Sequence, residues 1–236
     1  MSVKMLEEAA GALGQMTDEV VFLGAATLPL WISDPGSPPL RVTADVDVVV
    51  EVTTLIAYNR FEQRLRDAGF QDEGTVLGRF LFGPENTRQL DAIPADGSIL
   101  GFHNQWQRAS LPAAVTRTLP SGARIRTLPP PNLLATKLEA FAGRGKGDFL
   151  GSQDFEDIIA LIDGREELLS ETAHASTELQ EYVASQLSKH ISDPKALEAV
   201  VAHLEIGREA RQRADSVVLP RLRTLASAPG GISLAS

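Results

Sequence analysis

At 236 residues, with no cysteine and a formal net charge of −9, the chain excludes disulfide scaffolds and thiolate zinc sites. It also opposes non-specific binding to nucleic acid, which needs clustered Lys and Arg. The length suits one large or two modest domains. No apolar run approaches a membrane span and the first residues lack a signal-peptide core, so a cytoplasmic protein with no membrane partner is expected.

In chain order, the apolar spacing predicts a helix over 4–13 and a strand over 20–23. That strand ends in the small residues Gly24, Ala25 and Ala26, followed by Thr27, Leu28 and Pro29. A strand breaking at Gly into a short helix offers backbone N–H groups where a phosphate can approach. A Pro/Gly/Ser loop over 34–39 precedes the run T-A-D-V-D-V-V-V at 43–50. In a strand Asp45 and Asp47 share one face while Val46, Val48 and Val50 fill the other. Two carboxylates on one surface repel, and a hard divalent cation such as Mg²⁺ is their natural occupant; an edge strand using Asp against aggregation is the plainer reading.

A helix over 54–68, with Ile56, Phe61 and Leu65 on one side, stops at Gly69. Strands follow over 75–82, 89–93, 114–119 and 123–128. The third of these acids, Asp91, lies in an otherwise apolar strand, where it can complete a metal site with the first two. After the prolines at 129–131 the pattern turns almost wholly helical.

In the first of those helices Lys137 interrupts the apolar stripe of Leu133, Leu134, Leu138 and Phe141. Either its ammonium snorkels to water or it is a paired, functional cation. The run G-R-G-K-G-D at 143–148 fails the phosphate-loop pattern and follows a helix. It is read as a flexible connection whose Arg144 and Lys146 either touch phosphate or are solvated. Ser152 is an N-cap candidate for the next helix, in which Asp154 and Asp157 lie on nearly the same face. Acids in a first helical turn are favoured by the helix dipole, so stability alone accounts for both. Basic groups at Arg117, Arg124 and Arg126, and at Arg208, Arg211, Arg213, Arg221 and Arg223, suit either an RNA or a solvated face. The four histidines, His103, His174, His190 and His203, lack close metal-ligand spacing, leaving oxygen ligands for any metal.

Taken in order, G-A-A at 24–26, T-A-D-V-D at 43–47 and L-D-A-I-P at 90–94 resemble motifs of the DNA polymerase β-like nucleotidyltransferase superfamily. The runs L-L-A-T-K-L-E-A-F-A-G-R-G-K-G-D at 133–148 and S-Q-D-F-E-D-I-I-A-L-I-D-G-R at 152–165 resemble the AbiEii-type group, which includes toxins of toxin–antitoxin systems. The resemblance implies an α/β fold, with a mixed-sheet nucleotidyltransferase core over 1–128 and a helical domain over 129–236 that completes the active-site cleft. It implies Mg²⁺-dependent transfer of a nucleoside monophosphate from an NTP, with Asp45, Asp47 and Asp91 holding two Mg²⁺ ions. Gly24, Ala25, Thr27, Lys137 and Arg144 would contact the nucleotide, and Lys137 and Asp154 would join the two paired acids in catalysis; one of Asp154 and Asp157, Asp154 by preference, would pair with Lys137 or deprotonate the attacking hydroxyl.

An RNA acceptor, the tRNA 3′ end above all, and an antitoxin protein are the partners that the resemblance suggests; a protein or small-molecule hydroxyl stays open as acceptor. The superfamily usually has Gly-Gly or Gly-Ser where this chain has Gly24-Ala25, so a phosphate-binding hydroxyl is missing at 25. A basic residue often precedes the paired acids in the closer group, and here that position is Ala44. Both departures favour the alternative, a nucleotidyltransferase fold without turnover that binds a nucleotide or a partner. On sequence grounds, Lys137→Met should leave stability near that of the wild type.

Overall fold

The computed structural model describes residues 2–101, 104–204 and 207–227; of the histidines singled out above, His103 lies outside them. The chain is a mixed α/β protein of two compact units, Met1–Leu30 with Arg41–Pro129, and Trp31–Leu40 with Pro130–Ser236. Among the described residues no helix is long and apolar enough to cross a membrane.

The first unit contains α1 (Ser2–Leu13), β1 (Val20–Leu23), β2 (Asp45–Val50), α2 (Leu55–Asp67), β3 (Gln71–Asp72), β4 (Arg79–Phe82), β5 (Arg88–Pro94), α3 (Gln105–Ser110), β6 (Val115–Thr118) and β7 (Arg124–Thr127). Its strands form one mixed sheet in the order β3-β4-β5-β2-β1-β7-β6, with β2 parallel to β5 and antiparallel to β1. The alternation of β2 sends Val46, Val48 and Val50 into a core with Leu6, Ala9 and Leu13 of α1 and Phe61 and Leu65 of α2. Each such valine stabilises the fold by about 1.5 kcal/mol. Thr54 caps α2 by accepting the Ala57 N–H at 3.2 Å, and Gly69, at φ +94°, ends it.

Three expectations change here. Ile56 is 68% exposed; Tyr58 is buried instead, donating its hydroxyl to the Ala92 carbonyl at 2.7 Å. The strand expected over 75–82 begins only at Arg79, because the Glu73 carboxylate accepts the Thr75 and Val76 N–H groups at 2.9 and 3.1 Å and folds that stretch into a turn. The short helix α3 was not anticipated, although Asn104 supplies its N-cap by accepting the Gln107 N–H at 3.3 Å.

The second unit is helical: α4 (Pro130–Arg144), α5 (Gln153–Gly164), α6 (Leu168–Ala173), α7 (Thr177–Ile191), α8 (Pro194–Ala202), α9 (Arg208–Arg213) and α10 (Leu219–Leu225), the last two joined by a π turn over Ala214–Val218. Trp31–Leu40 is tied to it. Arg213 bridges Asp34 and the fully buried Asp163, both at 2.6 Å, and Ser37 donates to Asp163 at 3.0 Å. Gly164 leaves room for Ile32, whose Cδ1 would lie 2.7 Å from any Cβ placed there.

A cage of Phe141, Phe149 and Phe155 surrounds His190, with ring centroids 5.2 to 6.0 Å away. Burial, with the nearby Lys189 charge, lowers the His190 pKa to about 4, and its Nε2 has no hydrogen-bond partner. The native state therefore disfavours protonation relative to the unfolded chain, where histidine titrates near its model value of 6.5. The neutral side chain's contribution is complete above pH 6.5 and is lost as pH falls toward 4. Allowing for its partial exposure, the loss should be about 2 kcal/mol. Urea melts of wild type and His190→Phe at several pH values should show a shallower acid slope for the variant.

Candidate metal centre and a buried lysine pair

Strand register assembles the three acids. Asp47 of β2 lies opposite Asp91 of the parallel β5, and Asp45 lies two residues away on the same face. Their carboxylate oxygens come within 4.8 Å of one another, and each residue is half-buried. Such hard oxygen donors fit a hard divalent cation and not a thiophilic one. The triad could therefore bind a metal ion.

Neighbouring residues fix two of the carboxylates and make room for the third. The Thr43 hydroxyl donates to Asp45 Oδ1. Arg79, opposite Asp91 in the antiparallel β4–β5 register, forks onto both oxygens of Asp91 at 2.7 Å each. Gly24 sits against Asp47, at φ +77°, and a Cβ there would collide with Asp47 Oδ2. Its role is thus to admit the acid. Gly24→Ala should cost about 2 kcal/mol through left-handed strain and displacement of Asp47. It should also weaken Mn²⁺ binding by at least about tenfold; isothermal titration beside a thermal melt separates the two effects.

Residues 25–30 form the expected short helix, of 3₁₀ type, but the side chain expected to assist there is engaged elsewhere. Thr27 is fully buried, and its hydroxyl donates to the Gly24 carbonyl at 2.9 Å, so it stabilises the turn and offers nothing to a phosphate. Ala25 is buried as well.

In the second unit Lys137 is 8% exposed. Its Nζ lies 2.6 Å from Asp157 Oδ2 and 3.2 Å from Asp154 Oδ1, which rules out the snorkelling reading. Ser152 caps α5 as expected, accepting the Phe155 N–H at 3.4 Å. Arg144, expected at a phosphate, belongs to the last turn of α4. It donates through Nε and Nη2 to Asp154 at 2.7 and 2.8 Å. Burial pushes the Asp154 carboxyl up, but the Arg144 hydrogen bonds and the Lys137 charge outweigh it and leave the pKa below the usual carboxylate value. So stabilised, Asp154 is a weak proton acceptor, which counts against the general-base role and for the pairing role. Asp157, the shorter contact, was the partner that sequence reasoning placed second.

The basic clusters are partly structural too. Arg126 pairs with Glu51 at 2.7 Å and Arg211 with Asp215 at 3.4 Å. Arg221 donates to the Ile162 and Asp163 carbonyls at 3.0 and 2.5 Å, capping the end of α5.

No family model matches the chain, and no curated protein matches it. Among solved structures it is similar to the crystal structure of JHP933 from Helicobacter pylori, with 11% identity over 95% of this chain and 90% of that one and a TM-score of 0.45.

Proposed function

We propose that the protein is a divalent-metal-dependent nucleotidyltransferase of the AbiEii-like type, acting in the cytoplasm. The convergence of Asp45, Asp47 and Asp91 within 4.8 Å is the observation that carries this reading, and the motif order supports it. Asp45 and Asp47 would hold Mg²⁺, with Asp91 beside them for a second ion. When bound, Mg²⁺ supplies charge neutralisation at the triphosphate and acidity at the acceptor hydroxyl. In the transfer an oxygen–phosphorus bond forms at the α-phosphorus of the NTP, the bond to the β-phosphate oxygen breaks, and pyrophosphate leaves.

This chain's own residues orient the acids: Thr43 fixes the Asp45 carboxylate and Gly24 makes room for that of Asp47. Lys137, which the motif resemblance would assign to the leaving pyrophosphate, is held by Asp157 and Asp154 within the second unit. An RNA acceptor, the tRNA 3′ end first among them, and an antitoxin partner belong to this same proposal. A second reading, a nucleotide- or partner-binding protein without turnover, is favoured by the engagement of Thr27 and Arg144 within the protein.

The test is incubation of the pure protein with each labelled NTP, Mg²⁺ and, in parallel, total RNA, a protein extract and small-molecule alcohols as acceptors, with products resolved on gels and by chromatography, alongside melting with and without Mg²⁺–NTP. Labelled RNA supports transfer. A raised melting temperature without product on any acceptor class supports the binding reading; neither effect removes both.

A further inference from the structure

We propose that the edge strand β6 is a docking site that takes an extended segment of a partner protein, alternating acidic and apolar residues, as an added strand of the sheet. The inference stands apart from the nucleotidyltransferase reading, since β6 lies three strands beyond the β2 acids.

The two ends of the sheet are finished differently. At one end β3 is two residues long, and Arg66 forks onto its Asp72 at 2.8 and 2.9 Å. Shortness and charge discourage a further strand there. At the other end β6 runs Val115-Thr116-Arg117-Thr118 without proline, and its three β-branched residues are exposed and suit a strand. In an antiparallel pair every second residue turns its N–H and C=O away from the partner strand. Leu119 donates to the Ala123 carbonyl at 2.8 Å where the hairpin closes, so the alternation makes Thr116 and Thr118 the outward pair. Among the described residues β7 is the only strand beside β6, and the outward row is a template for strand addition.

Charge selects the occupant. The chain holds 31 acids and carries a net charge of −9, yet it has none from Gly97 to Leu138, and the hairpin contributes Arg117, Arg124 and Arg126. Arg126 lies opposite Thr116 and Arg124 opposite Thr118, on one face. Arg126 is engaged by Glu51 at 2.7 Å, and Arg124 is exposed. An acid on the added strand beside Thr118 would meet Arg124 across that short side chain. On the other face Val115 is 39% exposed, and an apolar residue of the added strand would cover it. Pairing β6 with a second copy would instead set two arginine hairpins against each other. A single-stranded RNA would meet the arginines but leave the outward backbone row without a strand partner.

The probe is a short fluorescent peptide alternating Val and Glu, compared with one alternating Val and Lys, titrated with the full chain and followed by anisotropy. Wild type should bind the Val/Glu peptide at least about tenfold more tightly than the Val/Lys peptide. Binding should slow amide hydrogen exchange at Thr116 and Thr118 by about tenfold or more. Thr116→Pro removes an outward N–H at an edge position, where proline is tolerated, and should weaken binding at least about tenfold. Arg124→Glu, at an exposed position, should reverse the preference between the two peptides, and it keeps the test alive if Thr116→Pro does not fold. Equal binding of the two peptides by wild type, unchanged exchange at β6, undiminished binding by a folded Thr116→Pro, or an unchanged preference in Arg124→Glu would each overturn the proposal. A wild-type dimer that Thr116→Pro dissolves would assign the edge to a second copy. Binding of a labelled single-stranded RNA that Arg124→Glu abolishes, with no peptide bound, would assign it to RNA; either result replaces the proposal.

Discussion

Asp47→Asn should abolish nucleotidyl transfer and leave a folded protein. Asp47 is the central member of the triad, lying beside Asp91 in register and two residues from Asp45. Loss of its charge removes a ligand from any ion held there. Metal-supplied charge stabilisation is worth several kcal/mol, so the rate should fall by about a thousandfold or more. Stability should move the other way. In metal-free buffer three acids share one surface with Arg79, and neutralising one relieves repulsion. A gain of up to about 1 kcal/mol is expected, which raises the melting temperature by roughly 2–4 °C for a chain of this size. The asparagine also fits the space that Gly24 leaves, because it is isosteric with the acid. The gel assay and a melt with EDTA check both directions. Near-normal transfer with this variant would sink metal-dependent catalysis at the triad, and an unfolded variant would mean that Asp47 has a structural role.

The two acids of β2 were legible because strand periodicity is strict: Val46, Val48 and Val50 on one face place Asp45 and Asp47 together on the other. The position of Asp91 beside them was legible only through motif resemblance, since sheet register between β2 and the distant β5 leaves no local mark. Arg79 was missed for the same reason, and its pairing depends on where β4 starts. That start was misplaced, because the turn before it is set by Glu73 accepting backbone N–H groups, a local competition that β propensity at Val76 and Leu77 conceals. On α4 the apolar stripe exposed Lys137 as an anomaly. The choice between Asp154 and Asp157 was not decidable from spacing three apart on one helix face. Arg144 was read as part of a flexible loop because glycines flank it, yet its bidentate bond to Asp154 extends the helix to that residue. Thr27 shows the reverse error: a hydroxyl near a glycine turn suggests a ligand, but the carbonyl of the turn itself accepts its proton.

Lys137→Met should destabilise the protein strongly, contrary to the expectation from sequence alone. The lysine stem would be well replaced, but the ammonium pairs with Asp154 and Asp157. Asp154 keeps Arg144 after the change; Asp157, with a side chain only 1% exposed, loses the cation 2.6 Å away. Breaking a buried pair in this way costs about 3–5 kcal/mol, because the remaining charge is left in a low-dielectric interior. For a chain of this length the melting temperature should drop by roughly 10 °C. Loss of transfer in this variant would therefore mix folding with chemistry. The double variant Lys137→Met/Asp157→Asn separates them, since the amide removes the buried charge while keeping its shape. It should recover melting to within about 1 kcal/mol of wild type. If Lys137 acts on the nucleotide, transfer stays at least about a hundredfold below wild type and Mg²⁺–NTP no longer raises the melting temperature. Restored transfer in the stable double variant would show that the lysine serves only to join α4 to α5, and would take it out of the proposed chemistry.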